Sequence, residues 1–125
     1  MVKLLALFKR PDDVIGFMNH HDKVYLPLVH KIPGLEKTVI NRVRADSFGG
    51  VPTYFLITEM HFADKESFRR AMESKENMLA GRELMRFAKG FVTLLVADTG
   101  AMMMLNSPAR EFVAANYKEK KLIGR

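Results

Sequence analysis

Short apolar runs alternate along this chain with stretches in which apolar residues return at helical spacing. "VKLLALFK" (Val2–Lys9) is an apolar run cut off by "RPDD", the pattern of a strand leading into a helix start. Pro11 suits a first helical turn, and Asp12 and Asp13 favour its positive end. Val14, Phe17, Met18, His21, Val24, Tyr25 and Leu28 then share one helical face. "KIPGL" stops that helix, because Pro33 disfavours helix in the residue before it and Gly34 permits a turn. "EKTVINRVRA" (Glu36–Ala45) is rich in β-branched residues and predicts a second strand. "DSFGGVP" reads as a loop, and "TYFLITEMHF" (Thr53–Phe62) as a third strand, antiparallel to the second. Asp64 is placed to cap a second helix over "KESFRRAMES", which resumes or bends through "ENMLAGRELMRFA" with Gly81 inside it. Gly90 ends it, and "FVTLLVA" (Phe91–Ala97) is the fourth strand.

The order is β-α-β-β-α-β, which predicts an α+β, ferredoxin-like domain with a four-stranded antiparallel sheet over residues 1–100. In that topology both helices lie on one side of the sheet. "VKLLALF" and "FVTLLVA" are apolar on both faces, so the other side would leave more apolar surface in water than a monomer normally tolerates. A second copy, face to face about a two-fold axis, is the simplest cover. A homodimer is expected. Residues 101–125 form a C-terminal extension. Met102, Met103, Met104 and Leu105 are apolar enough to pack on the domain, while Ser107 and Pro108 suit a helix start.

Composition removes several classes. A net charge of +6 invites a nucleic-acid reading, but the basic residues are spread along the chain and the dense run "YKEKKLIGR" suits a solvated tail. "TYFLITEMHF" also lacks the glycines and basic residue with which an RNA-binding module of the same strand order stacks bases. There is no cysteine, hence no thiol chemistry. The four histidines show no HxxxH or HxH spacing, so no metal is expected. "FGGVP" lacks the spacing of a phosphate loop. No apolar run is long enough for a bilayer. A cytoplasmic protein with no nucleic-acid or membrane partner is the expectation.

"HHDKVYLPLVHKIPGLEKTVINRV", followed by a strand ending "EMHF" and a helix ending "RFAKG", resembles the EthD family of dimeric α+β barrel proteins. The resemblance covers about residues 2–98, and its most specific piece is the Pro-Leu of "YLPL" ahead of "PGL". It implies a dimer closed through the sheets, with a pocket between sheet and helices. Relatives with this architecture include cofactor-free monooxygenases, muconolactone-type isomerases and polyketide cyclases, which implies chemistry without a cofactor. In the family's helix pattern, His20 stands at the first histidine and His21 at the aromatic position, while Pro27 and Leu28 match. Tyr25 stands where the family has its second histidine.

The helical wheel singles out the same residues independently. His21 and Tyr25 lie mid-stripe between Phe17 and Leu28, one turn apart, with His20 at the border and His30 on the polar side. Two polar-tipped rings on an apolar face need partners, water or a ligand. His21 is therefore a satisfied core residue or, with Phe17, part of a ligand surface. His20 and Tyr25 are the catalytic candidates, an imidazole to move a proton and a phenol to donate a hydrogen bond to an oxyanion. Glu59 and His61 point to one side of the third strand, as an acid-base pair or a surface pair. The expected function is binding of a small, mainly apolar or aromatic molecule, with isomerase, cyclase or oxygenase chemistry or with none, as an accessory or carrier dimer.

Overall fold

The computed structural model describes residues 1–103 and 112–114. Four strands, β1 (Val2–Phe8), β2 (Leu35–Arg42), β3 (Leu56–Phe62) and β4 (Val92–Asp98), form one antiparallel sheet in the order β2-β3-β1-β4. That is the expected α+β, ferredoxin-like sheet. The first strand lies in the interior, pairing Val2 with Phe62 on one side and with Asp98 on the other. A bulge falls between Leu35 and Lys37 where β2 joins β3.

Strand alternation sorts the side chains into two faces. Ala6, Phe8, Leu56, Met60 and Phe62 are buried in the core cluster under the helices. Leu5, Leu7, Ile57, Glu59 and His61, which alternate with them, face the other way. Val39 lies opposite Glu59, and Leu95 lies opposite Leu5 on that open face. The face carries an apolar patch beside a polar cluster of Glu59, His61, Asn41 and Lys3.

The helical layer departs from expectation in informative ways. α1 (Val14–His20) begins beyond Pro11, because Asp13 is its N-cap and accepts a hydrogen bond from the Gly16 amide at 2.9 Å. Pro11 thus precedes the helix instead of opening it. The helix expected to run on to Leu28 widens into a π-helical turn, His21–Tyr25, before α2 (Leu26–Val29). In a regular α-helix the Pro27 ring would press on the carbonyl four residues back. Here the Leu26 amide bonds to the His21 carbonyl, one residue further back than an α-helix allows, and the turn opens ahead of the proline. Gly34, at φ 84°, makes the left-handed turn into β2.

α3 (Lys65–Met72) is capped by Asp64, which accepts from the Ser67 amide at 2.8 Å. α4 (Lys75–Ala88) is a separate helix, because Ser74 caps it by accepting from the Asn77 amide at 3.1 Å. Two strands follow, β5 (Ala101–Met103) and β6 (Phe112–Ala114), paired antiparallel. The helix expected after Ser107 and Pro108 is corrected at its far end. Phe112–Ala114 is strand, in keeping with the β-preference of Phe and Val. Ser107, Pro108 and the basic end lie outside the described residues, as does most of the segment expected to pack on the domain. Among the described residues no helix is long and apolar enough to cross a membrane.

Candidate functional site

A cavity of about 150 Å3 lies between the sheet and the helices. Its sheet side is formed by Leu4, Met60 and Leu94, and its helix side by Met72, Ala80 and Leu84, with Tyr25 and Asn77 as its hydrogen-bonding side chains. Tyr25 is 3% exposed. Burial alone pushes its phenol pKa up, with no hydrogen bond contributing, so the hydroxyl keeps its proton throughout the neutral range. A buried phenol normally finds a partner. This one opens on an apolar space.

The π-helical turn sets His21 beside it, the two rings 5.7 Å apart, yet His21 is fully occupied. Its Nδ1 lies 2.9 Å from the Asp22 carboxylate and its Nε2 2.9 Å from the Thr58 hydroxyl. A carboxylate only accepts, so Nδ1 carries the proton and donates, while Nε2 accepts from Thr58. Burial lowers the His21 pKa against the smaller opposing pull of Asp22, which agrees with a neutral ring. Phe17 packs in the core against Phe8, Phe55 and Phe87.

His20 is turned toward α4. Its Nε2 meets the Glu83 carboxylate and its ring lies 4.6 Å from that of Phe87. Hydrogen bonds from Arg86 first, and from His20 second, hold the Glu83 carboxyl below the usual range. Glu59 and His61 stand on the open face of the sheet. His61 Nε2 donates to Glu59 at 2.8 Å, and Asn41 Nδ2 donates to the other carboxylate oxygen at 3.0 Å. Burial works against the Glu59 charge, but His61, Asn41 and Lys3 together outweigh it and lower the pKa. His61 Nδ1 is buried without a partner. His30 reaches Thr38 at 3.1 Å on the exterior.

Of the six residues singled out in the sequence, only Tyr25 lines this cavity. Asn77 and Gly81 line it without having been singled out as site residues. The signal for one was present in a glycine inside a helix. For Asn77 there was none, since its side of α4 is set only by packing. No group of three or more potential metal-ligating side chains gathers among the described residues.

Comparison with known proteins places the chain among small ferredoxin-like domains. A crystal structure of an ethyl tert-butyl ether degradation (EthD) family protein from Bacillus halodurans is 34% identical. The alignment covers 79% of this chain and 98% of that one, with a TM-score of 0.75. A dimeric ferredoxin-like protein of unknown function from Jannaschia is 14% identical, over 78% and 98% of the two chains, with a TM-score of 0.60. SnoaB, a cofactor-independent oxygenase from Streptomyces nogalater, is 14% identical over 85% and 97%, with a TM-score of 0.59. An uncharacterised 11.0 kDa protein of the thcB–thcC intergenic region of Rhodococcus erythropolis is 27% identical over 78% of this chain and 94% of its own. No family model matches the chain.

Proposed function

The chain belongs to the EthD family, and from that premise we propose that it binds a small, mainly apolar organic molecule in the cavity between sheet and helices, as one half of a homodimer. The observation that carries the ligand reading is Tyr25, whose phenol lines an otherwise apolar space and bonds to no other side chain or backbone group among the described residues. A phenol at such a wall still needs a partner, from water or from a ligand. A bound oxygen function would supply that partner. The dimer follows from the open sheet face, where Leu5, Leu7, Val39, Ile57 and Leu95 lie together. Leu95 is 47% exposed, and a dimeric protein shares the fold.

In an enzymatic reading, Tyr25 donates a hydrogen bond to an oxygen that gains charge during isomerisation, cyclisation or oxygenation. A cofactor-independent oxygenase has the same fold, so such chemistry suits it. A second reading, a non-catalytic carrier, is favoured by the histidines. Both His21 nitrogens are engaged, His20 is turned to Glu83, and no imidazole lines the cavity among the described residues.

Two measurements test the proposal. Light scattering at micromolar concentration should give about twice the 14.3 kDa chain mass, and a monomer would overturn the dimer. Benzene, titrated while the methyl resonances of Met60 and Met72 are followed, should shift both saturably. Unmoved methyls would remove the ligand reading.

A further inference from the structure

Gly81 lies inside α4, where glycine is among the poorest helix formers, and no packing contact accounts for it. A Cβ built there would meet nothing within 4 Å. The same glycine lines the cavity beside Ala80 and Leu84. Gly81 is only partly buried, so the open space beside it lies at the rim of the cavity, at a residue that weakens its own helix.

The size of that space restricts the occupant. An apolar cavity of about 150 Å3 accommodates benzene and little more. Its polar groups restrict the occupant again. Asn77 Nδ2 donates one of its two hydrogens to the Met72 carbonyl at 3.3 Å, and its Oδ1 can accept. The Tyr25 hydroxyl keeps its proton and can donate. An acceptor beside donors at an apolar wall suits a group that both gives and takes a hydrogen bond, as a hydroxyl does.

We propose that the occupant is a single-ring hydroxylated molecule of the phenol class, its oxygen held between Tyr25 and Asn77 and its ring accommodated because residue 81 is glycine. This rests on the ligand reading above and adds to it the chemical class and the residue that limits size. A larger residue at 81 strengthens the helix and takes the ligand's space. Stability and binding therefore move in opposite directions at one position.

The test titrates phenol, benzene and 1-naphthol into the full chain, read by the Met60 and Met72 methyl resonances. Phenol should bind about tenfold more tightly than benzene, and 1-naphthol should not bind. Tyr25→Phe should weaken phenol about five- to tenfold and leave benzene unchanged, the discrimination expected of one lost hydrogen bond. Gly81→Ala should raise Tm by about 4 °C and weaken phenol severalfold. Gly81→Leu should abolish binding of both single-ring probes while the chain stays folded. Benzene binding as well as phenol, with Tyr25→Phe silent, would overturn the hydroxyl assignment and leave the cavity reading standing. Gly81 variants that bind like the parent, or parent binding of 1-naphthol, would overturn the size limit. If none of the three probes binds, the inference falls together with the reading beneath it.

Discussion

Replacing Phe8 by alanine should destabilise the protein by about 3–5 kcal/mol, the range for deleting a buried aromatic ring. Phe8 is wholly buried at the end of the interior strand β1. Its ring makes edge contacts with Phe17 at 5.3 Å and with His21 at 5.5 Å, and stacks on Phe87 at 6.4 Å. These neighbours come from α1, the π-helical turn and α4, which are held by the sheet and cannot all close on the gap. A domain of this kind has about 5–15 kcal/mol in total, so the variant should unfold at much lower urea with an unchanged m-value. A loss under about 1 kcal/mol would mean the aromatic cluster repacks freely.

The second large effect concerns His21 and acid. Its folded-state pKa lies below 6.5 through burial, so between that value and 6.5 the unfolded chain binds a proton that the native chain does not. Stability therefore rises with pH across this window. It is fully present above about 6.5 and is lost as the pH falls through the folded pKa. His21→Leu should remove that dependence. It should also cost about 1–3 kcal/mol at pH 7.5, because the buried Thr58 hydroxyl is left unpaired. Adding Thr58→Val should recover most of the loss, since both partners are then apolar. Urea titrations of the three proteins between pH 5 and pH 7.5 decide it. A parent curve parallel to that of His21→Leu would show that another group carries the acid sensitivity.

Much of the fold is legible in the apolar pattern, because each strand and helix has a local period and a chemical stop. Asp64 before "KESF" marks a cap that the structure uses, and Gly34 and Gly90 mark left-handed turns at φ 84° and φ 89°. Where competing local signals exist, the pattern misleads. Pro11 and Asp13 both suit a helix start, and the side-chain hydrogen bond of Asp13 decides it. Pro27 announces a disturbed helix but not its form, since a kink and a π turn relieve the same clash. The strand Phe112–Ala114 lies behind a serine and proline that read as a helix start, and local propensity could not rank the two.

The site was less legible than the fold. Tyr25 stands out because a phenol on an apolar stripe needs a partner. The orientation of β3 was hidden, because Thr58 and Glu59 are both polar. Only the third dimension shows that one bonds to His21 and the other stands on the far face. His20 is one position from His21, and a single helical step turns it from the core to Glu83. Asn77 reaches the cavity through the packing of α4, a long-range fact with no local trace.

The interior position of β1 has a consequence for how the protein is made. Of the four strands of the sheet, the first to be made pairs with the last, since its ladder with β4 ends in the pair Val2 and Asp98. At about 5–20 residues per second, roughly 5–20 s pass between the two. In that interval "VKLLALF" has no sheet to join except β3, and the β2-β3 hairpin is the only part of the sheet whose strands are close neighbours in sequence. Closing a loop of that length carries an entropic cost that only the finished ladder repays. A nascent chain stalled before residue 92 exposes an apolar strand with one edge unpaired, a substrate for chaperones and a seed for aggregation.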